Sequence, residues 1–363
     1  MSGTESELLE ITVEQMVDML SKAYISLVEN GIPFQKFPSV MLWGPPGVGK
    51  SQGVREIAQK MESKTKKDVV ITDVRLLLFN PVDLRGIPTA NEDKTLAVWL
   101  KPQIFQMDDS EKKINILFLD EITAAPPSVQ SAAYQIALDR MVGEHRLPRN
   151  CIVIAAGNRV TDKSVAYSMP KALANRLCHF AIKGDPVSWH NWAVKTGVHP
   201  FVVGYLEYNP AALMRFDPSQ TALAFATPRS WEMVSNILNT LSEDFREVYP
   251  MIAGCIGHYG ASSLRTWAEL YQGMPPMEAI FAGEEVEVPK AAELQIALRS
   301  AMAAYARAHP DKAAIDRSID FACNLPWAFR EKLMQDYSHI PKLQPILREN
   351  PVFQTALQRW GQK

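Results

Sequence analysis

The sequence predicts an α/β fold: a parallel five-stranded sheet with helices on both faces, then a smaller all-helical domain and a helical C-terminal extension. Three observations predict it. The glycine-rich loop Gly44-Pro45-Pro46-Gly47-Val48-Gly49-Lys50-Ser51 is entered by an apolar strand and left by a helix. From 39 to about 183, short apolar or β-branched strands alternate with helical stretches, the pattern of a doubly wound sheet. Beyond Asp185-Pro186 helical periodicity takes over.

The elements follow in order. Residues 1–38 read as an N-terminal helix and linker, with Val13, Met16, Val17, Leu20, Tyr24 and Leu27 on one face and an extended Gly31-Ile32-Pro33 connection. Residues 39–185 form the α/β domain, with strands at 40–43, 69–74, 114–119, 151–156 and 177–182. Three of these are almost wholly apolar, as parallel strands covered on both faces are. Residues 186–285 read as a helical lid domain, with helices at Pro186–Thr196, Pro200–Tyr208, Ser230–Leu241 and Phe245–Ile256. After the acidic segment Gly283–Glu287, residues 286–363 form the helical extension.

At 363 residues the chain can bury a sizeable core, and 47% hydrophobic with 21% charged residues is ordinary globular composition. A net charge of −2 gives no footprint of a general nucleic-acid or membrane-surface binder. Cys151, Cys178, Cys255 and Cys323 are scattered, without a C-x-x-C pair, which suits reduced thiols in a cytoplasmic setting. The first ten residues are polar and acidic, unlike a signal peptide, and no apolar run reaches bilayer length.

The chemistry begins at the loop. Its glycines let consecutive N–H groups turn towards a phosphate, Lys50 reaches the β- and γ-phosphates, and the Ser51 hydroxyl can ligate Mg²⁺. The nucleotide-binding set is Gly44, Pro45, Pro46, Gly47, Val48, Gly49, Lys50, Ser51 and Gln52. Val54, Ile57, Ala58 and Met61 keep helical spacing, so a helix N-terminus also faces the anion. Ile116–Glu121 is a buried strand ending in two carboxylates: Asp120 for the Mg²⁺ shell, Glu121 to polarise the attacking water. The strand Cys151–Ala156 runs into Gly157-Asn158; if it lies between the other two, the Asn158 amide arrives near the γ-phosphate. Arg176 and Arg229 are guanidinium candidates for the charge that develops on the transferred group. Taken alone, either is ordinary surface charge.

Together these motifs resemble those of the AAA+ ATPases, and within them the MoxR group, over about residues 36–280. Pro81-Val82-Asp83-Leu84-Arg85-Gly86 resembles the group's segment before an inserted hairpin and helix, and Gln130–Arg140 its helix leading into a pre-sensor hairpin. Asn175-Arg176-Leu177 resembles its arginine finger, and Thr227-Pro228-Arg229 its sensor 2. The resemblance implies that Asn158 is sensor 1, that Arg176 acts on a neighbouring subunit's ATP, and that Arg229 reads the γ-phosphate in its own subunit. It implies a homo-oligomer, a six-membered ring, that hydrolyses ATP to remodel or activate a protein client. A von Willebrand factor A-domain partner follows by association only. The chain departs from the group in Arg159, where proline is frequent, and in Leu177, where phenylalanine is; the tail beyond about 290 has no counterpart.

Two other function classes compete. A nucleic-acid motor or helicase loader on the same core would need a basic, pore-facing hairpin, and Arg140, Arg146 and Arg149, in a 140–150 hairpin that also carries His145, leave that open. The near-neutral charge and the lack of an appended DNA-binding module count against it. A non-catalytic scaffold would not need Glu121. Trp99, Trp189, Trp192 and Trp231 read as core rather than base-stacking groups, with Trp189 and Trp192 placed to pack between domains. The histidines show no metal-ligand spacing.

Overall fold

The computed structural model describes residues 8–159, 167, 169, 174–215, 222–241 and 245–360. The chain divides into two compact units, Met1–Gly184 and Asp185–Lys363.

The first unit is built on a six-stranded parallel sheet of order β1-β10-β2-β9-β6-β3. Its strands are β1 (Glu10–Thr12), β2 (Val40–Trp43), β3 (Asp68–Arg75), β6 (Lys113–Asp120), β9 (Cys151–Gly157) and β10 (Cys178–Lys183). Five match the predicted strands to within a residue or two. The sixth, β1, corrects the expected five. Three residues, of which only Ile11 is buried, are too few to show a period, yet they pair in register with Ala181, Ile182 and Lys183. Thr12 then ends β1 and caps helix α1 (Val13–Glu29) through a reciprocal capping box with Gln15.

Alternation along the central strands sorts the core into two faces. Val40, Leu42, Ile116, Phe118, Ile152 and Ile154 face α1 and α2 (Lys50–Thr65). Met41, Leu117, Leu119, Val153 and Ala155 face the other way, where Val129, Ala133 and Ile136 of helix α4 (Pro127–Asp139) cover them. All seven residues of β9 are buried, which fixes the strand that carries Gly157 towards Asn158. Between β3 and β6 the chain inserts the short helix α3 (Pro81–Arg85) and an antiparallel hairpin of β4 (Ile87–Ala90) and β5 (Ala97–Leu100). Only a 3₁₀ turn, Gln103–Phe105, follows the hairpin, where the resemblance suggested a helix.

In the second unit the described elements are all helical. Helices Pro186–Thr196 and Pro200–Tyr208 are those predicted; Pro228–Thr240 starts two residues early because Thr227 caps it. Helix Phe245–Glu269 runs on past Ile256 but breaks at Gly257, whose φ of 79° and ψ of 161° are outside any helix. One core joins Trp189, Trp231, Trp267, Leu298, Met302, Leu333 and Tyr337. It therefore runs through both segments read above as lid and extension. Trp189 is buried in this core and Trp192 packs against it, so both serve the core of this unit. No helix among the described residues is long and apolar enough to cross a membrane.

Candidate nucleotide site

Parallel pairing puts the ends of β2, β9 and β6 side by side, and the candidate residues gather at that edge. The loop after β2 turns at Gly47 (φ 78°) and Gly49 (φ 106°), a left-handed backbone that side chains disfavour. Gly44 has a different reason: a Cβ there would lie 2.6 Å from the Ile182 carbonyl oxygen. Gly49 caps α2 without any side-chain hydrogen bond, which leaves the helix's first N–H groups aimed into the loop.

Lys50 is buried, and its ammonium donates to the carbonyls of Gly44 (2.6 Å) and Pro45 (3.1 Å) and to Asn158 Oδ1 (3.2 Å). Ser51 Oγ donates to Asp120 Oδ2 at 3.0 Å. Hydroxyl and carboxylate together offer two hard oxygen ligands, and Mg²⁺ usually takes only one or two from protein, filling its shell with water and phosphate. The residues thus suit that ion, although no group of three His, Cys, Asp or Glu fit to hold a metal occurs among the described residues. Asp120 is felt across the sheet: partial burial, and then the Asp120 charge, push the carboxyl of Asp73 on β3 upwards.

Glu121 is exposed and holds φ at 58°, a conformation uncommon outside glycine, and its N–H donates to Asp120 Oδ1 at 2.9 Å. Such strain is characteristic of sites held in place by their surroundings. Pro45, Pro46, Val48 and Gln52 complete the loop, with Val48 buried and the Gln52 amide oxygen accepting from Arg55.

Arg176 is not brought to this edge. Arg176 is exposed and stands two residues before β10 begins, at the opposite end of the parallel sheet. Cys178 is level with Val40 and Ala181 with Trp43, so the start of β10 is already roughly 10 Å back along the strand from the loop, and Arg176 precedes it. Arg229 is exposed at the start of helix Pro228–Thr240 and belongs to the second unit.

Sequence reasoning missed Thr123 and the task of Gln130. Thr123 Oγ1 accepts from the Asn158 N–H (2.9 Å) and donates to the Asn158 carbonyl (3.2 Å). Gln130 Nε2 donates to the carbonyls of Thr123 (3.2 Å) and Ala125 (3.0 Å). The available signal was a hydroxyl two residues after Glu121, which is equally a common turn residue. Arg159, the departure from the group, pairs with Glu10 of β1 at 3.4 Å. Arg140 is committed inside the fold, donating to the carbonyls of Cys151, Phe34 and Phe37. It is therefore not a substrate-facing base of the 140–150 hairpin, whereas Arg146 and Arg149 are exposed.

Residues 40–178 match the ATPase family associated with various cellular activities (AAA). No curated protein matches the chain. Solved structures with some likeness include PCH-2 of C. elegans, at 14% identity over 71% of this chain and 69% of that chain, TM-score 0.36. A RuvB mutant of Thermotoga maritima is 15% identical over 80% of this chain and 89% of that one, TM-score 0.36. A chain of the HORMA–CdnC–Trip13 complex of E. coli MS115-1 is 15% identical over 73% and 89%, TM-score 0.38. Likeness at this level bears on neither substrate nor partner. The segment that matches this family carries the phosphate loop and four of the six strands of the parallel sheet.

Proposed function

We propose that the protein is a Mg²⁺-dependent ATPase of the MoxR type whose sites are completed between subunits of a ring, and that turnover drives remodelling of a protein client. The observation that carries the shared site is the position of Arg176 at the far end of the sheet from its own loop. An arginine side chain cannot span that distance, but an exposed one is free to meet the nucleotide of a neighbour. Within a subunit, the loop and Lys50 hold the phosphates, Ser51 and Asp120 hold the ion, Glu121 polarises the water and Asn158 orients it. Bound Mg²⁺ would neutralise charge on the phosphates. Arg229 would report the γ-phosphate to the helical unit, and a closed ring is the form in which every Arg176 has a partner. A protein client rather than nucleic acid suits the net charge of −2 and the commitment of Arg140 to the fold. A von Willebrand factor A-domain protein is one such client.

The test is ATPase rate per subunit across a wide protein-concentration range, with the mass of the ATP-bound Glu121→Gln form. A steep rise with concentration and a mass near that of six subunits are expected. Arg176→Ala should bind ATP normally, turn over poorly, and regain rate in mixed rings with Glu121→Gln subunits. A monomer with a concentration-independent rate would sink the shared site. Saturable stimulation by nucleic acid would favour the motor reading instead.

A further inference from the structure

We propose that Thr123 is a positioning residue for Asn158, setting its amide against the Lys50 ammonium. The proposal rests on the reading of Asn158 as the water-orienting amide. Asn158 follows the last residue of β9, so the sheet no longer supplies partners for its backbone. One hydroxyl supplies both: Thr123 Oγ1 accepts from its N–H and donates to its carbonyl. Thr123 is 1% exposed, so those groups would otherwise face a dry neighbourhood.

The hydroxyl is itself held. Its β-branched side chain has few rotamers, and its carbonyl receives Gln130 Nε2 and the Tyr167 N–H. Gln130 Oε1 accepts from Tyr134 Oη at 3.4 Å. A buried line of hydrogen bonds thus runs from α4 through Gln130 and Thr123 to Asn158 and Lys50. Gly157 is shaped to the same end, since a Cβ there would lie 2.7 Å from both Thr123 Oγ1 and Cγ2. The clasp is not needed to join the two loops, because Ile122 N–H already donates to the Ala156 carbonyl at 3.0 Å. What Thr123 adds is orientation of the next residue along, the one whose amide meets Lys50.

The experiment is a double-mutant cycle of Thr123→Val and Asn158→Ala, read as kcat and as ATP Kd. Thr123→Val should lower kcat about ten-fold or more while Kd stays within about two-fold, since a displaced catalytic group costs rate rather than ground-state binding. Thr123→Ser should stay near the parent rate. In the Asn158→Ala background Thr123→Val should cost nothing further, because a group that acts through Asn158 has nothing left to position. An equal loss in both backgrounds, or a Thr123→Val protein at the parent rate, overturns the proposal. Should the valine variant fail to fold, Thr123→Cys keeps the volume, weakens both bonds and enters the same cycle. An Asn158→Ala enzyme at the parent rate would instead refute the reading of Asn158 itself.

Discussion

Each unit buries a polar network around a cation, and the two are made of different material. In the first, Lys50 meets carbonyls and an amide, and the line leads back through Asn158, Thr123 and Gln130, all uncharged groups. In the second, Arg299 is fully buried and pairs with Glu207 and Asp336. Lys332 joins Glu207 at 2.6 Å, and His190 joins Asp336 at 2.8 Å. Burial alone would push Asp336 up, but Arg299, His190 and Lys332 outweigh it and hold the carboxyl below its usual range. A network of dipoles can point at a site without cancelling the charge brought to it. A network of opposite charges answers itself and serves the fold.

The widest break in this comparison is Asp336→Ala. It leaves buried Arg299 to share its remaining carboxylate, Glu207, with Lys332 and should remove about 3–5 kcal/mol of stability, read by denaturant unfolding. Next is pH. Burial depresses the His199 imidazole to about 4, against about 6.5 in an unfolded chain. Between those values the unfolded chain takes up a proton that the folded one refuses. Stability should therefore fall as pH drops from about 6.5 to 4, by up to about 3 kcal/mol, and His199→Gln should flatten that window. Asp336 would lose its contribution only at lower pH, as pH falls from the ordinary carboxylate range to its own depressed value. Trp189, Trp192, Trp231 and Trp267 belong to this core, so their fluorescence reads both experiments. In the first unit, Lys50→Ala should leave the fold intact and weaken ATP binding by about a hundred-fold, seen by titration calorimetry. The smallest effect is Glu10→Gln: its pair with Arg159 is half-exposed and should be worth under about 1 kcal/mol by thermal melting.

The strands were legible because parallel strands buried on both faces are written as apolar runs, as in Ile114–Leu119 and Cys151–Ala156. The loop and the acidic pair were legible because phosphate and Mg²⁺ accept few residue types at few spacings. β1 was not, since Glu10-Ile11-Thr12 acquires meaning only beside β10, some 170 residues later. The Arg299 network was hidden for the same reason, its members lying far apart along the chain. Thr123 escaped for another: a hydroxyl in a turn looks identical whether it caps, faces water or holds a neighbour. Arg140 carried the wrong suggestion because a charge near a hairpin reads as surface, and the Cys151, Phe34 and Phe37 carbonyls reveal its use.

The packing of α1 sets a limit on how the protein can be cut. Met16, Val17, Leu20 and Tyr24 are all within 1% of complete burial, and they close the core against α2. Val13 and Met16 lie so near the phosphate-loop helix that a Cβ on Gly53 would stand 2.2 Å from Met16 Cε. A recombinant fragment starting at residue 40, where the family match begins, would keep every motif and lose one wall of the room that holds them. Such a fragment would expose the back of its own nucleotide loop to water, and the smallest portable version of this site begins at β1.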